Sequence, residues 1–243
     1  MTDDFDAILG EFDDELDLTL YADAAELAEE VTVQILAAVE KGLKVKSQFH
    51  LVLTGGTLGV QISEALVNEC NADLDAFKGL HIWWSDERFV PVDSVERNAF
   101  PWHGTVKNRN VMVHEVLASD VAQTLEESVS DYELALENVD LDLNILGLGP
   151  DGHVASLFPG QTNVDDQRTI IAIKDSPKPP AERVTFTMQM INRAQEVWIV
   201  AAGEGKAEAV TKIIEGDLSV PASYVRGSSH TRLIVDTEAF FSE

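Results

Sequence analysis

Cysteine is nearly absent from this chain: Cys70 stands alone among 243 residues. No internal disulfide can form, and nothing suggests an oxidising compartment. Basic residues are also scarce, with 17 Lys and Arg against 43 Asp and Glu, for a formal charge of −26. Such a surface repels nucleic acid and anionic lipid, which argues against both as partners. It also makes any cluster of Arg and Lys notable, because an anionic small molecule would need one. No run approaches the ~20 apolar residues that cross a bilayer. The N-terminus, Met1-Thr2-Asp3-Asp4, lacks the basic and apolar regions of a secretory signal, so a cytoplasmic location is expected. No HxH, HExxH or CxxC spacing occurs, and no metal site is expected. Repeats, low-complexity tracts and long linkers are missing as well. Ser176-Pro177-Lys178-Pro179-Pro180 is the one Pro-rich stretch, too short to separate two domains.

The remaining composition is that of a globular protein, 45% apolar and 25% charged. Residues 1–18 hold eight Asp or Glu and no Lys or Arg, and residues 1–20 are expected to form an acidic, partly disordered tail. Residues 21–243 are expected to form a single α/β domain. Asp23-Ala24-Ala25-Glu26 has capping-box spacing, and Leu27, Val31, Ile35 and Ala38 follow on one helical face. Short apolar runs then recur at Phe49–Leu53, Leu80–Trp84, Val111–Val113, Leu141–Leu146, Val197–Ala202 and Arg232–Val235. Helical patterns begin near Val60, span about 120–137, and run from Lys206 to about Glu215. Strands alternating with helices imply an open, mostly parallel, Rossmann-like sheet covered on both faces, with a small subregion between about 160 and 190.

In such a sheet, ligands bind outside the carboxyl ends of the strands. The pattern therefore gathers Gly55-Gly56-Thr57, Asp86 with Arg88, Asp151 with His153, and Lys206 along one edge. The glycine pair lets backbone N–H groups approach an anion at a helix start, although a plain strand-to-helix turn reads equally well there. Arg88 follows Trp83-Trp84 and suits bidentate contact with phosphate or carboxylate. Asp151-Gly152-His153 is the sharpest feature, since a histidine whose tautomer is set by a carboxylate accepts a proton from water near neutral pH. His50, His81, His103, His114 and His230 lack this setting and read as ordinary surface or core residues. Lys206 sits in a helix's first turn, against the macrodipole, which points to an anionic ligand. Arg183 is a third candidate cation; a surface arginine opening a strand is an equal reading of it.

These residues resemble the 6-phosphogluconolactonase family, within the larger glucosamine-6-phosphate isomerase/deaminase group. The matching segments are LTGGTLG at 53–59, WWSDERFVP at 83–91, RNAF at 97–100, LDLNILGLGPDGHVASLFPG at 141–160, SPKPPAERVTFT at 176–187 and AAGEGKAEAV at 201–210. They occur in family order over roughly residues 50 to 210, and DGHVASLFPG is the most specific. The resemblance implies the sugar-phosphate isomerase/deaminase type of fold. It also implies hydrolysis of 6-phospho-D-glucono-1,5-lactone to 6-phosphogluconate in the oxidative pentose phosphate pathway, without a cofactor. His153 would be the general base and Asp151 its orienting partner. Gly55, Gly56, Thr57, Asp86, Arg88, Arg183 and Lys206 would hold the sugar phosphate. A monomer or weak homo-oligomer is expected. Two segments depart from the usual form. TGGTLG stands where SGGSTP is commoner, and Arg97 stands where serine is usual, either as another positive group or as a solvent-facing side chain. The competing readings are an amino-sugar-phosphate isomerase/deaminase, whose DGH segment usually continues into Asn-Glu-Pro rather than Leu157-Phe158-Pro159, and a non-catalytic sugar-phosphate-binding regulator.

Overall fold

The computed structural model describes residues 16–160 and 164–241. Strand β1 (Leu16–Tyr21) leads into α1 (Ala24–Leu43), β2 (Phe49–Leu53), α2 (Gly56–Ala72), β3 (Leu80–Trp84), β4 (Asp86–Arg88) and β5 (Val111–Val113). Then come α3 (Leu125–Ala135), β6 (Leu143–Gly147), β7 (Ile170–Ile173), β8 (Arg183–Phe186), α4 (Met188–Ile191) and β9 (Glu196–Ala201). After a 3-10 turn at Glu204–Lys206, α5 (Ala207–Ile214), β10 (His230–Asp236) and α6 (Thr237–Phe240) close the chain.

Seven strands form one sheet in the order β1-β10-β9-β6-β2-β3-β5, and every pairing in it is parallel. Its strands alternate between two apolar cores. Leu51 and Leu53 of β2, Trp198 and Val200 of β9 and Ile234 of β10 pack with Leu27, Val31 and Ile35 of α1 and Ile62 and Leu66 of α2. Val52, Val197, Ile199, Leu233 and Val235 point the other way, toward Leu125 and Tyr132 of α3 and Val210 and Ile213 of α5. Burial on both faces is why these strands read as continuous apolar runs rather than as polar–apolar alternation. The capping box forms as expected: the Asp23 side chain accepts from the N–H groups of Ala25 and Glu26, and Glu26 reaches back to the Ala22 N–H at 2.7 Å.

Two features lie outside the expected pattern. Positions 16–20 of the anticipated acidic tail belong to β1, which pairs with β10 from Leu16 to Tyr21; positions 1–15 fall outside the described residues. β4, β8 and β7 form a separate antiparallel sheet, which gives the subregion near 160–190 its frame. No helix among the described residues is long and apolar enough to cross a membrane.

The chain order reverses between β2 and β6. From β2 the sheet grows through β3 to β5; from β6 it grows through β9 and β10 to β1. Loops leaving two such neighbours diverge to opposite faces and open a crevice at the strands' carboxyl ends. The crevice here is bordered by the Thr54–Thr57 loop and the Gly147–His153 loop, which the Thr54 hydroxyl joins by accepting the Gly147 N–H at 3.1 Å.

Candidate active site

The loop after β6 is built around His153. Gly149 donates its N–H to the His153 carbonyl at 2.8 Å, and Gly152, at φ +76°, makes the left-handed turn that brings the chain back. The imidazole Nδ1 bonds the Asp151 carboxylate, and the ring lies 4.7 Å from the Phe158 ring, centroid to centroid. The side chain is only 15% exposed. An ionised carboxylate only accepts, so Nδ1 carries the proton and Nε2 keeps its lone pair. Burial holds the His153 pKa below its ordinary value; Asp151 pulls upward, and Lys178 pushes further down. The ring is therefore neutral at pH 7. Asp151 titrates below the usual range, because its bond to His153 and the charges of His153 and Lys178 outweigh its own desolvation.

Four cations were expected or found at this end of the sheet. Lys178 places its ammonium 3.4 Å from His153 Nδ1 and 3.6 Å from Asp151. Lys206, the residue before α5, has its pKa lowered by burial and then by Lys178, with Asp151 opposing, so all three groups lie within electrostatic reach. Arg88 bonds the Asn98 side chain and the Glu96 carbonyl through Nη1. Its Nε, although buried, finds no partner among the described residues. Arg183 is different. It is 5% exposed, and its Nε and Nη2 donate to the carbonyls of Pro180, Lys178 and Pro179 at 2.9–3.3 Å. Its Nη1 reaches the Ser156 hydroxyl at 3.4 Å and lies 3.7 Å from Asp86. All three nitrogens are committed inside the protein, so Arg183 fixes the segment carrying Lys178 instead of offering a free donor to a ligand.

Asp86 is likewise internal, at 5% exposure. It accepts from the Ser156 hydroxyl at 2.6 Å and from the Asn98 amide at 3.0 Å, and so ties three loops together. Glu87, also buried, accepts the backbone N–H groups of Arg88, Asn98 and Ala99. Arg97 corrects both expectations made for it. It is 2% exposed, so it does not face solvent. Its Nη2 donates to the Val116 carbonyl at 2.7 Å and lies near Glu87 and Glu115. It is a buried countercharge to Glu87 beneath the Arg88 loop.

The glycine loop meets the same cluster. A Cβ on Gly55 would fall 1.8 Å from the Asn98 Oδ1 and 2.8 Å from Arg88 Nη1, so only glycine lets the loop lie against Arg88. Gly55, Gly56, Thr57, Gly147, Leu148 and Lys206 line a cavity of about 550 Å³, ample for a hexose phosphate. Leu148 lines this cavity, and the next residue, Gly149, packs against His153, where a Cβ would lie 1.9 Å from Nδ1. The expected residues thus converge on one sheet edge, with Asp86 and Arg183 acting behind it. Lys178, Asn98, Ser156 and Phe158 are the participants that spacing did not single out. Among the described residues no group of three or more His, Cys, Asp and Glu is placed to hold a metal ion.

The profile of the glucosamine-6-phosphate isomerases/6-phosphogluconolactonase family matches residues 22–235. The chain belongs to that family. The 6-phosphogluconolactonase of Mycobacterium tuberculosis is 32% identical over 239 residues, covering 91% of this chain and 96% of that protein. That of Streptomyces coelicolor is 33% identical over 241 residues, covering 91% and 92%. Among solved structures, 6-phosphogluconolactonase from Thermotoga maritima superposes with a TM-score of 0.75 at 26% identity, covering 92% of this chain and all of that one.

Proposed function

We propose that this protein hydrolyses 6-phospho-D-glucono-1,5-lactone to 6-phosphogluconate, with His153 as the general base. The observation that carries the reading is the Asp151-tethered imidazole of His153, with the Lys178 ammonium beside it and Lys206 within electrostatic reach of both Lys178 and Asp151. The names of the relatives support the substrate. Lys206, Arg88 and the amides of the glycine loop hold the phosphate. A water beside Nε2 attacks the lactone carbonyl carbon while Nε2 takes one of its protons. The tetrahedral intermediate then collapses, the bond from the carbonyl carbon to the ring oxygen breaks, and the imidazolium returns the proton to that oxygen. Asp151 keeps Nδ1 protonated and stabilises the transient imidazolium without itself taking the proton.

One observation weighs against the isomerase/deaminase reading. Where that branch carries a ring-opening glutamate after its DGH segment, this chain has Leu157 and Phe158, both fully buried in the apolar core. No carboxylate can be presented from that position, and lactone hydrolysis needs none. The test uses lactone generated freshly in the assay, with spontaneous hydrolysis subtracted. The wild-type protein is expected to accelerate ring opening, and His153→Ala to lose about 10²-fold or more of kcat with an unchanged circular dichroism spectrum. Near-normal turnover by a folded His153→Ala protein would refute the assignment.

A further inference from the structure

Lys178 has no role in that mechanism beyond adding positive charge, yet its backbone is firmly anchored beside His153. Its backbone carbonyl accepts from Arg183 Nη2 at 2.9 Å and from the Ser176 hydroxyl at 2.8 Å, and the next two carbonyls, of Pro179 and Pro180, also accept from Arg183. One buried guanidinium therefore fixes the short segment from which the ammonium projects. The side chain itself remains 43% exposed, so its position reflects that anchor rather than burial.

The ammonium lies on the Nδ1 side of the imidazole, 3.4 Å from that nitrogen. Because Nδ1 already donates its proton to Asp151, Lys178 cannot also donate there. It stands instead as a fixed charge beside the ring and as a second partner to the Asp151 carboxylate, 3.6 Å away. Asp151 favours the imidazolium and so works against the burial that keeps the ring neutral. A cation sharing that carboxylate opposes this while leaving the orienting hydrogen bond intact. The other groups acting on this cluster are the Phe158 ring, which packs on the imidazole, Lys206, whose charge acts on Lys178 and Asp151 from the residue before α5, and Asp86, whose charge reaches the imidazole from β4. Ser156, Asn98 and Arg183 already surround Asp86, which blunts that influence.

We propose that Lys178 is a positioning residue: it shares the Asp151 carboxylate with His153 and thereby keeps the imidazole in its neutral, proton-accepting form while Asp151 still orients it. The proposal rests on His153 being the working base, as inferred above, but part of its test needs no turnover.

Lys178→Met and Lys178→Gln remove the charge from an exposed side chain, and Lys178→Arg keeps it. The His153 imidazole is titrated by NMR in each full-length protein, assigned by its disappearance in His153→Ala. Both neutral variants are expected to titrate at higher pH than wild type, and Lys178→Arg close to it. In the lactone assay, kcat/KM of the neutral variants is expected to drop about fivefold on the acid side, the effect of one unit charge acting over about 4 Å with the screening of bulk water, as suits a side chain this exposed. The alkaline plateau should change far less. An unchanged His153 titration in both neutral variants would overturn the proposal. So would a rise in KM of equal size at every pH, which would make Lys178 a substrate ligand only. If the wild-type protein opened no lactone, the reading of function would fall, and the NMR titration would still decide the role of Lys178.

Discussion

Gly149 shows how tightly the His153 environment is drawn. A methyl group there would come within 1.9 Å of His153 Nδ1, 2.1 Å of Cε1 and 2.6 Å of the Asp151 Oδ1. The atoms it meets are side-chain atoms, so the backbone can stay in place while the imidazole swings off the carboxylate. Gly149→Ala is therefore expected to lower kcat by about 10²-fold, the scale on which positioned acid–base catalysis acts, while the melting temperature moves by no more than a few degrees. Lactone assays alongside thermal unfolding check this; a large loss of stability with kcat intact would mean that the loop, not the ring, gives way. At this scale the sequence was legible where a strand end, a turn and a chemically distinctive residue coincide, as at Asp151-Gly152-His153. Arg97 and Arg183 were not, because a charge count says nothing of which guanidiniums a fold will bury. Lys178 was missed for a related reason. Its one signal is a lysine set among prolines five residues before Arg183, and only the hydrogen bonds between them give that spacing meaning.

The edge formed by β2, β3 and β5 carries an unusual ladder. His50 stands opposite His81 in the parallel register, with ring centroids 4.5 Å apart. His81 Nδ1 is bonded to His114 Nε2 at 2.9 Å, and the His114 ring stacks on Trp83 at 3.8 Å. Burial, with the neighbouring imidazoles and for His50 also Lys46 adding to it, pushes the pKa of His50 and of His114 down to about 4. Unfolded histidine titrates near 6.5. Between about pH 6.5 and pH 4 the unfolded chain therefore binds protons that the folded ladder refuses, and stability falls as pH falls through that window. The melting temperature is expected to drop by several degrees from pH 7 to pH 5. His114→Phe keeps the ring on Trp83 while removing one titrating group, and should flatten this dependence; an equally steep decline in the variant would show that the ladder is not its source. The parallel strands themselves were readable because burial on both faces leaves apolar runs. β4 was hidden because its residues, Asp86-Glu87-Arg88, are all charged, and the two carboxylates are satisfied by partners brought from other segments, among them Asn98, Arg97 and Arg183. β1 was hidden because Leu16 and Leu18 alternate with Asp17 and Thr19 just after a strongly acidic segment.

Across the whole molecule, a charge of −26 sets two demands against each other. The reaction proposed here takes an anionic substrate, and Arg88, Lys178, Arg183 and Lys206, four of only 17 basic residues, are gathered at one sheet edge. The surface elsewhere is left with a large excess of carboxylates, whose mutual repulsion favours expansion of the chain. That repulsion acts over many ångströms through solvent and is open to screening, since the Debye length shrinks from about 30 Å at 0.01 M salt to about 8 Å at 0.15 M. The ion pairs buried at the site, such as Arg183 with Asp86 at 3.7 Å, are shielded from the same ions. Added monovalent salt should therefore weaken the repulsion more than it weakens the attractions that hold the site. The melting temperature at pH 7.5 is expected to rise by several degrees between 0.01 and 0.15 M NaCl, and by the same amount in KCl, because screening depends on ionic strength and not on the identity of the cation. A fall with salt would mean that exposed ion pairs such as Lys174–Glu126 outweigh the repulsion. A rise in one salt alone would point to specific cation binding by the acidic surface.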